Sequence, residues 1–139
     1  MTMPSVVRMD LPADVKYMRV VSACVAELLA VRAGEAAQAA VTNDILLAIQ
    51  ELCMNIVDHA YEGRTDGRIS LALSVGDDSF TAEFSDDGAP FDAASVNRPD
   101  LDHGQVRGYG LYLMKELLDD VAYTSCGGRN HWRLTKRVK

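Results

Sequence analysis

Apolar residues recur at Val15, Met18, Val21, Val25, Leu28 and Leu29, three or four positions apart for most steps, and this spacing predicts an amphipathic helix from Asp14 to about Ala33. Pro12 carries a backbone angle suited to a helix start, Asp14 falls in the first turn, and Gly34 ends the run. The preceding segment, Ser5 to Leu11, alternates loosely and reads as a strand. Glu35 to about Tyr61 contains neither glycine nor proline and carries a second helical pattern, with Thr42, Asn43 and Asp44 able to cap a start inside it. At roughly 100° per residue, Ile45, Ile49, Leu52, Cys53, Ile56 and Ala60 share one face. Asp44, Glu51, Asn55, Asp58, His59 and Glu62 form the opposite stripe, so one side packs and the other is polar.

After the turn-rich EGRTDGR the period changes to two. Ile69 to Val75 and Phe80 to Phe84 alternate on either side of a Gly76 to Asp78 turn and predict a β-hairpin. Asp86 to Gly110 is polar, glycine-punctuated and broken by Pro90 and Pro99, too long for a plain connection and suited to a functional loop. Leu111 to Leu118 resumes a short helix. Val121 to Thr124, a Cys126-Gly127-Gly128 turn and His131 to Val138 make a second hairpin. The order strand, helix, helix, two strands, long loop, helix, two strands predicts a single-domain two-layer α/β sandwich over residues 1–139, a mostly antiparallel sheet with its helices gathered on one face.

Composition narrows the function classes. A chain of 139 residues with 48% hydrophobic and 24% charged residues has the make-up of an ordinary globular domain. Its net charge of −6 would repel a phosphate backbone, so direct nucleic-acid binding is not expected. No stretch approaches 18 uncharged apolar residues, and MTMPSVVRMDLP lacks the apolar core of a signal peptide, so no membrane span and a cytoplasmic location are expected. Cys24, Cys53 and Cys126 are widely spaced, with no metal-ligand pattern, and read as reduced thiols, Cys53 as a small core residue.

Three patterns carry candidate chemistry. In ELCMN, Glu51 and Asn55 are four apart and stack on one helical face; an amide oxygen is a hard cation ligand and a carboxylate can orient or deprotonate a nucleophile, although solvated pairs at this spacing are common. In FSDDGAPFD, Asp86 and Gly88 follow a predicted strand, where the acid can accept from an exocyclic amine and the glycine admits a close backbone approach; a plain turn has the same signature. In RGYGLYLMKELLDD, Gly108 and Gly110 precede a helix whose free N–H groups and dipole suit phosphate oxygens. The arrangement is neither a dinucleotide fingerprint nor a P-loop.

In this order the three resemble the motifs of one family. ELCMNIVDHAY is similar to the N box, DDGAPF to the first glycine box and GYGLYLM to the second glycine box of the GHKL ATPases, which share the Bergerat nucleotide-binding fold. The compact length, the HAY after the N box and GLYLMKELLDDVAY most resemble the bacterial anti-sigma-factor serine kinases of the sporulation and general-stress type, over nearly the whole chain. The resemblance implies ATP and Mg2+ as cofactors, with Asn55 coordinating the magnesium, Glu51 acting as general base for a protein serine hydroxyl, and Asp86 contacting the adenine amino group. Gly88, Gly108 and Gly110 would let the backbone surround the nucleotide, Ala93 to Arg107 would form a lid ordered mainly by ligand, and Arg107 would either reach a phosphate or stay solvated. One departure is Pro90, where the first glycine box usually has a second glycine; altered loop stiffness is expected there, with binding retained.

The implied partners are a sigma factor and a small antagonist protein of the STAS type, with homodimerisation as a family expectation. Arg19 on the first helix matches an arginine with which family members engage both partners; a merely solvated arginine is the alternative. His59 is not read as a phosphoacceptor, because the separate dimerisation helix of a histidine kinase is absent. Asp58 reads as a solvated residue, Met9, Met18, Met54 and Met114 as packing, and Trp132 as an anchor of the last strand against the helix layer. The expected activity is ATP- and Mg2+-dependent serine phosphorylation of the antagonist by an anti-sigma factor. The rivals are a non-catalytic ATP-responsive module that sequesters a regulator and a detached histidine-kinase catalytic domain.

Overall fold

A computed structural model of the chain describes residues 5–33, 39–61, 65–91 and 109–138. The chain forms β1 (Ser5–Pro12), α1 (Met18–Ala33), α2 (Ala39–Asn55), β2 (Arg68–Val75), β3 (Ser79–Asp86), α3 (Tyr109–Leu117), β4 (Asp120–Cys126) and β5 (Arg129–Arg137), in the order expected from the hydrophobic pattern. The strands build one five-stranded sheet in the order β1-β2-β3-β5-β4, with every neighbouring pair antiparallel. The alternating side chains Ile69, Leu71, Leu73 and Val75 of β2, Phe80, Ala82 and Phe84 of β3, and Trp132 and Leu134 of β5 are all buried. They meet Val21, Val25 and Leu29 of α1, Ile45, Ile49, Leu52 and Cys53 of α2, and Met114 of α3 in one core. Two-layer packing follows, since each helix has one apolar stripe and the sheet one apolar face.

Several boundaries differ from the sequence reading, each for a local reason. Pro12 does not start the helix: it is the last residue of β1, paired with Arg68, and β1 is an edge strand on which a missing N–H costs little. Asp14 instead caps a short 3-10 turn at Val15–Tyr17, its side chain accepting from the Lys16 amide at 3.0 Å, and α1 follows at Met18. The long second helix stops as an α-helix at Asn55 and continues as a π turn over Ile56–Ala60. Gly127 and Gly128 both take positive φ, 61° and 79°, and close the β4–β5 hairpin in two residues. Residues 40–58 have a mean hydropathy of 1.3 and by length and composition alone could cross a bilayer, contrary to expectation. Ile45, Ala48, Ile49, Leu52, Cys53 and Ile56 of this segment are buried in the core, and Asp44 and Glu51 interrupt the run, so it is read as the core helix of the fold.

The Lys136 ammonium of β5 donates to the Leu117 carbonyl at the end of α3 (2.7 Å) and pairs with Asp44 near the start of α2 (3.7 Å), fastening both helices to the sheet. Gly34, Glu35, Glu62, Arg107, Gly108 and the Ala93–Arg107 segment lie outside the described residues, as does the side chain of His59.

Candidate functional site

Glu51 and Asn55 end α2 on its polar side, half-buried rather than solvated, because the first turn of α3 lies across them. The contact is close at Gly110. A Cβ there would stand 3.0 Å from Glu51 Oε2, 3.4 Å from Asn55 Nδ2 and 3.6 Å from Asn55 Oδ1. Gly110, read from sequence as preceding the helix, is its second residue and is buried. The first N–H groups of any helix have no acceptor within that helix. A carboxylate, a carboxamide and a helix start with spare donors therefore share one small region.

The π turn after Asn55 ends the helix at Tyr61, whose N–H reaches back to the Ile56 carbonyl at 3.2 Å. Insertions of this kind are frequent at functional sites. The Ala60 carbonyl accepts from the Ala89 amide at 2.8 Å, and a Cβ on Gly88 would collide with that same carbonyl. The close approach that Gly88 permits is thus between the DDGAP loop and the end of the helix. Tyr61 locks the loop further: its hydroxyl contacts Asp87 Oδ1 (2.6 Å) and the Arg68 carbonyl (2.7 Å) and accepts from the Asp87 amide (3.0 Å). Burial and the Asp87 carboxylate push the Tyr61 phenol up to about 12, so it stays protonated and able to donate.

Asp86 is the last residue of β3 rather than a residue beyond it. The inward alternation Phe80, Ala82, Phe84 continues to position 86 and carries a carboxylate, only 1% exposed, into the space between sheet and helices. Its register partner on β5 is Asn130, also buried. Asp86 Oδ1 accepts from the Gly88 amide (2.9 Å) and from Asn130 Nδ2 (2.8 Å). Asp86 Oδ2 is buried with no hydrogen-bond partner among the described residues. Loss of water raises the pKa of Asp86 above the usual carboxylate range; Asn130, Gly88 and Arg129 oppose the shift and Asp87 adds to it, but burial prevails. An acceptor of this kind calls for an N–H donor from a ligand, because an unmade buried hydrogen bond is costly.

The space beside Asp86 is small. Asn55, Ile56, Asp86, Ala89, Phe91 and Trp132, with Ala60 and Asn130, line a cleft of about 20 Å³. A void of that size holds about one water, so the cleft has to open to take a flat base. Asn55 belongs to both ends, so the cleft runs into the region of Glu51 and Gly110. The residues fit ATP in two respects: an orphaned buried acceptor for the adenine amine, and a glycine contact that brings a helix start up to the N-box amide. Among the described residues no cluster of three His, Cys, Asp or Glu side chains could hold a metal unaided. The donor set fits a magnesium ion held by the Asn55 amide oxygen together with phosphate and water.

The structure thus places Asn55 and Asp86 on one cleft, with Glu51 and Gly110 adjoining it through Asn55 and Gly88 adjoining it through Asp86 and Ala60, while Arg19 is exposed on α1 and Asp58 is exposed. Sequence reasoning missed Asn130, Tyr123 and Phe91, and assigned Trp132 to packing alone. Asn130 stands two residues before Trp132 on the inward side of β5, a polar residue in an apolar rhythm, which was a readable signal. Its partner could not be read, because β5 pairs with β3 across 44 residues of chain.

Comparison with known proteins agrees with this geometry. The family model of the histidine kinase-like ATPase domain matches residues 11–136. The serine-protein kinase RsbW of Bacillus cereus (strain G9842) is 32% identical over 124 residues, covering 83% of this chain and 74% of that protein. The RsbW of Listeria innocua is 29% identical over 128 residues, covering 86% and 80%. The crystal structure of the RsbU and RsbW domains of a Mycobacterium tuberculosis protein superposes with a TM-score of 0.69 at 24% identity, over 99% of this chain and 33% of that longer one. The histidine kinase domain of a blue-light activated kinase from Erythrobacter litoralis superposes at 0.57 and 17% identity, over 91% and 61%. These two likenesses speak for the fold. By family match and by relatedness, the chain belongs to the histidine kinase-like ATPase family, in its branch of RsbW-type serine-protein kinases.

Proposed function

We propose that this chain binds ATP with Mg2+ in the cleft between Asp86 and Asn55, transfers the γ-phosphoryl group to a serine of a small antagonist protein, and otherwise sequesters a sigma factor. The observation that carries the reading is the pairing of a buried, half-satisfied Asp86 with the Glu51–Asn55–Gly110 contact at the other end of the same cleft. Bound Mg-ATP supplies the transferable phosphoryl group and the neutralisation of its charge. Asp86 Oδ2 accepts from the adenine amine and fixes the base. Asn55 offers its amide oxygen to the cation, and the first turn of α3 offers N–H groups to phosphate oxygens. Glu51, held against Gly110, takes the proton of the incoming serine hydroxyl.

The exposed side of α1, with Arg19, is the surface proposed for the partner proteins. A phosphate adds about −2 charge to the antagonist. A kinase of net charge −6 then repels its own product, which gives the exchange of partners a physical direction. The test is incubation of the purified chain with Mg-ATP and its antagonist, followed by phosphosite mapping. Phosphoserine that disappears in Glu51→Ala is the expected result. Unmodified antagonist, or an acid-labile phosphohistidine, would refute the serine-transfer mechanism.

A further inference from the structure

Beside the proposed base site lies a chain of hydrogen bonds whose direction is fixed at both ends. The Phe91 amide donates to the Tyr123 hydroxyl at 2.8 Å, and that hydroxyl donates to Asn130 Oδ1 at 2.7 Å. Asn130 Nδ2 in turn donates to Asp86 Oδ1 (2.8 Å) and to the carbonyls of Gly88 (3.1 Å) and Ala89 (3.0 Å). Backbone carbonyls accept only, so the NH2 of Asn130 must face them and Asp86, and its carbonyl must face Tyr123. An amide N–H donates only, so the Tyr123 proton is left to point at Asn130. Every side-chain polar atom of Tyr123 and Asn130 is used, and neither group can reverse without breaking another bond.

The aromatic rings keep the relay in register. Tyr123 packs on Trp132 at a centroid distance of 4.5 Å, and Phe91 meets both edge-on, at 5.9 and 5.3 Å. The consequence falls on Asp86. Oδ1 receives two donors from the protein, and Oδ2, with none, is the only oxygen left for a ligand.

We propose that Tyr123 and Asn130 are positioning residues that hold Asp86 as a hydrogen-bond acceptor toward the cleft and so select a 6-amino purine over a 6-oxo purine. The inference rests on the ATP reading of the cleft and deepens it. A 6-oxo purine sets its O6, an acceptor, against Asp86 Oδ2, also an acceptor. In the pose that adenine takes, it fits only if Oδ2 carries a proton, which the two donors on Oδ1 direct to that atom.

The experiment compares ATP with inosine triphosphate, which exchanges the amino group at C6 for an oxo group. Binding is read by calorimetry and by the fluorescence of Trp132, the single tryptophan, in wild type, Tyr123→Phe and Asn130→Asp, with thermal melts to establish folding. Wild type is expected to prefer ATP by about tenfold or more, the cost of facing two buried acceptors. Tyr123→Phe releases one end of Asn130 and lowers the preference about three- to tenfold. Asn130→Asp sets a second acid against Asp86, forces a proton onto the pair, and brings the ratio to one or below. A wild-type pH series needs no variant to fold: the ratio, free of the phosphate titration common to both nucleotides, falls as pH falls toward the raised pKa of Asp86. The groups facing Asp86 in that titration are Asp87 beside it, Arg129 from β5 and the Tyr61 phenol. A ratio unchanged in both folded variants, or one that rises as pH falls, overturns the relay while leaving the ATP site standing. A wild-type chain that binds neither nucleotide overturns the ATP reading and the relay together.

Discussion

Replacing Asp86 by asparagine changes one oxygen for an NH2 group of nearly the same size. The amide oxygen would take the place of Oδ1, since the Gly88 amide and Asn130 Nδ2 donate there at 2.9 and 2.8 Å. The new NH2 then occupies the Oδ2 position and meets the adenine amine donor to donor. The lost bond is one to a charged acceptor, about 1.5–3 kcal/mol, and the opposed donors add to it. ATP affinity is expected to fall about 30- to 1,000-fold, or roughly 2–4 kcal/mol.

Stability should move differently. Burial raises the pKa of Asp86 in the folded chain above its unfolded value. The native state therefore binds that proton more tightly, and its contribution is fully present below the unfolded pKa and lost as pH rises through the folded one. Above the raised pKa the carboxylate is a cost carried by the empty site, and Asp86→Asn removes it. The nucleotide-free variant is expected to melt within about 1 kcal/mol of wild type at pH 7, with a smaller gain on acidification. Calorimetric titration with Mg-ATP and urea melts at pH 5 and pH 7.5 measure both. Affinity within threefold of wild type would refute the placement of the base, and a variant that does not fold would refute the account of the buried charge.

Gly110→Ala adds a methyl 3.0 Å from Glu51 Oε2, so the carboxylate must swing aside; kinase turnover should fall tenfold or more, while the melting temperature holds or rises because alanine favours the helix. Equal activity in a phosphotransfer assay would remove Gly110 from the site. Gly88→Ala drives a methyl into the Ala60 carbonyl, a backbone contact with little freedom to yield, and should cost about 2 kcal/mol or more in a urea melt. Cys53 is buried and its thiol is pushed up to about 12 by loss of water, so a thiol reagent at pH 8 should label exposed Cys126 readily and Cys53 only after unfolding. Peptide mapping that finds Cys53 labelled in the native protein would contradict the packing of α2.

The elements of this fold could be read because each is written in a local period. Ile45, Ile49, Leu52 and Cys53 declare the buried face of α2 by their spacing alone, and the Cys126-Gly127-Gly128 turn declares the second hairpin. Glu51 and Asn55, Asp86 and Gly88, and Gly110 were readable for a related reason: each motif is a few residues long, and helical or strand geometry places its members on one side. The boundary errors were also local. Pro12 suits a helix start as well as the end of an edge strand, and only its pairing with Arg68 separates the two.

Composition and periodicity by themselves determined the order of elements, the layer architecture and the residue types available for a nucleotide. Tertiary structure alone decided that Gly110 closes on Glu51 and Asn55, that Gly88 serves the Ala60 carbonyl, and that Asn130, bonded to Tyr123, donates to Asp86. Apart from Tyr123 and Asn130, which face each other across one hairpin, these contacts join residues 28 to 59 positions apart. A side chain's neighbours within a helix or strand follow from backbone geometry, whereas its neighbours across the core follow from how whole faces pack, and that information is spread over the entire chain.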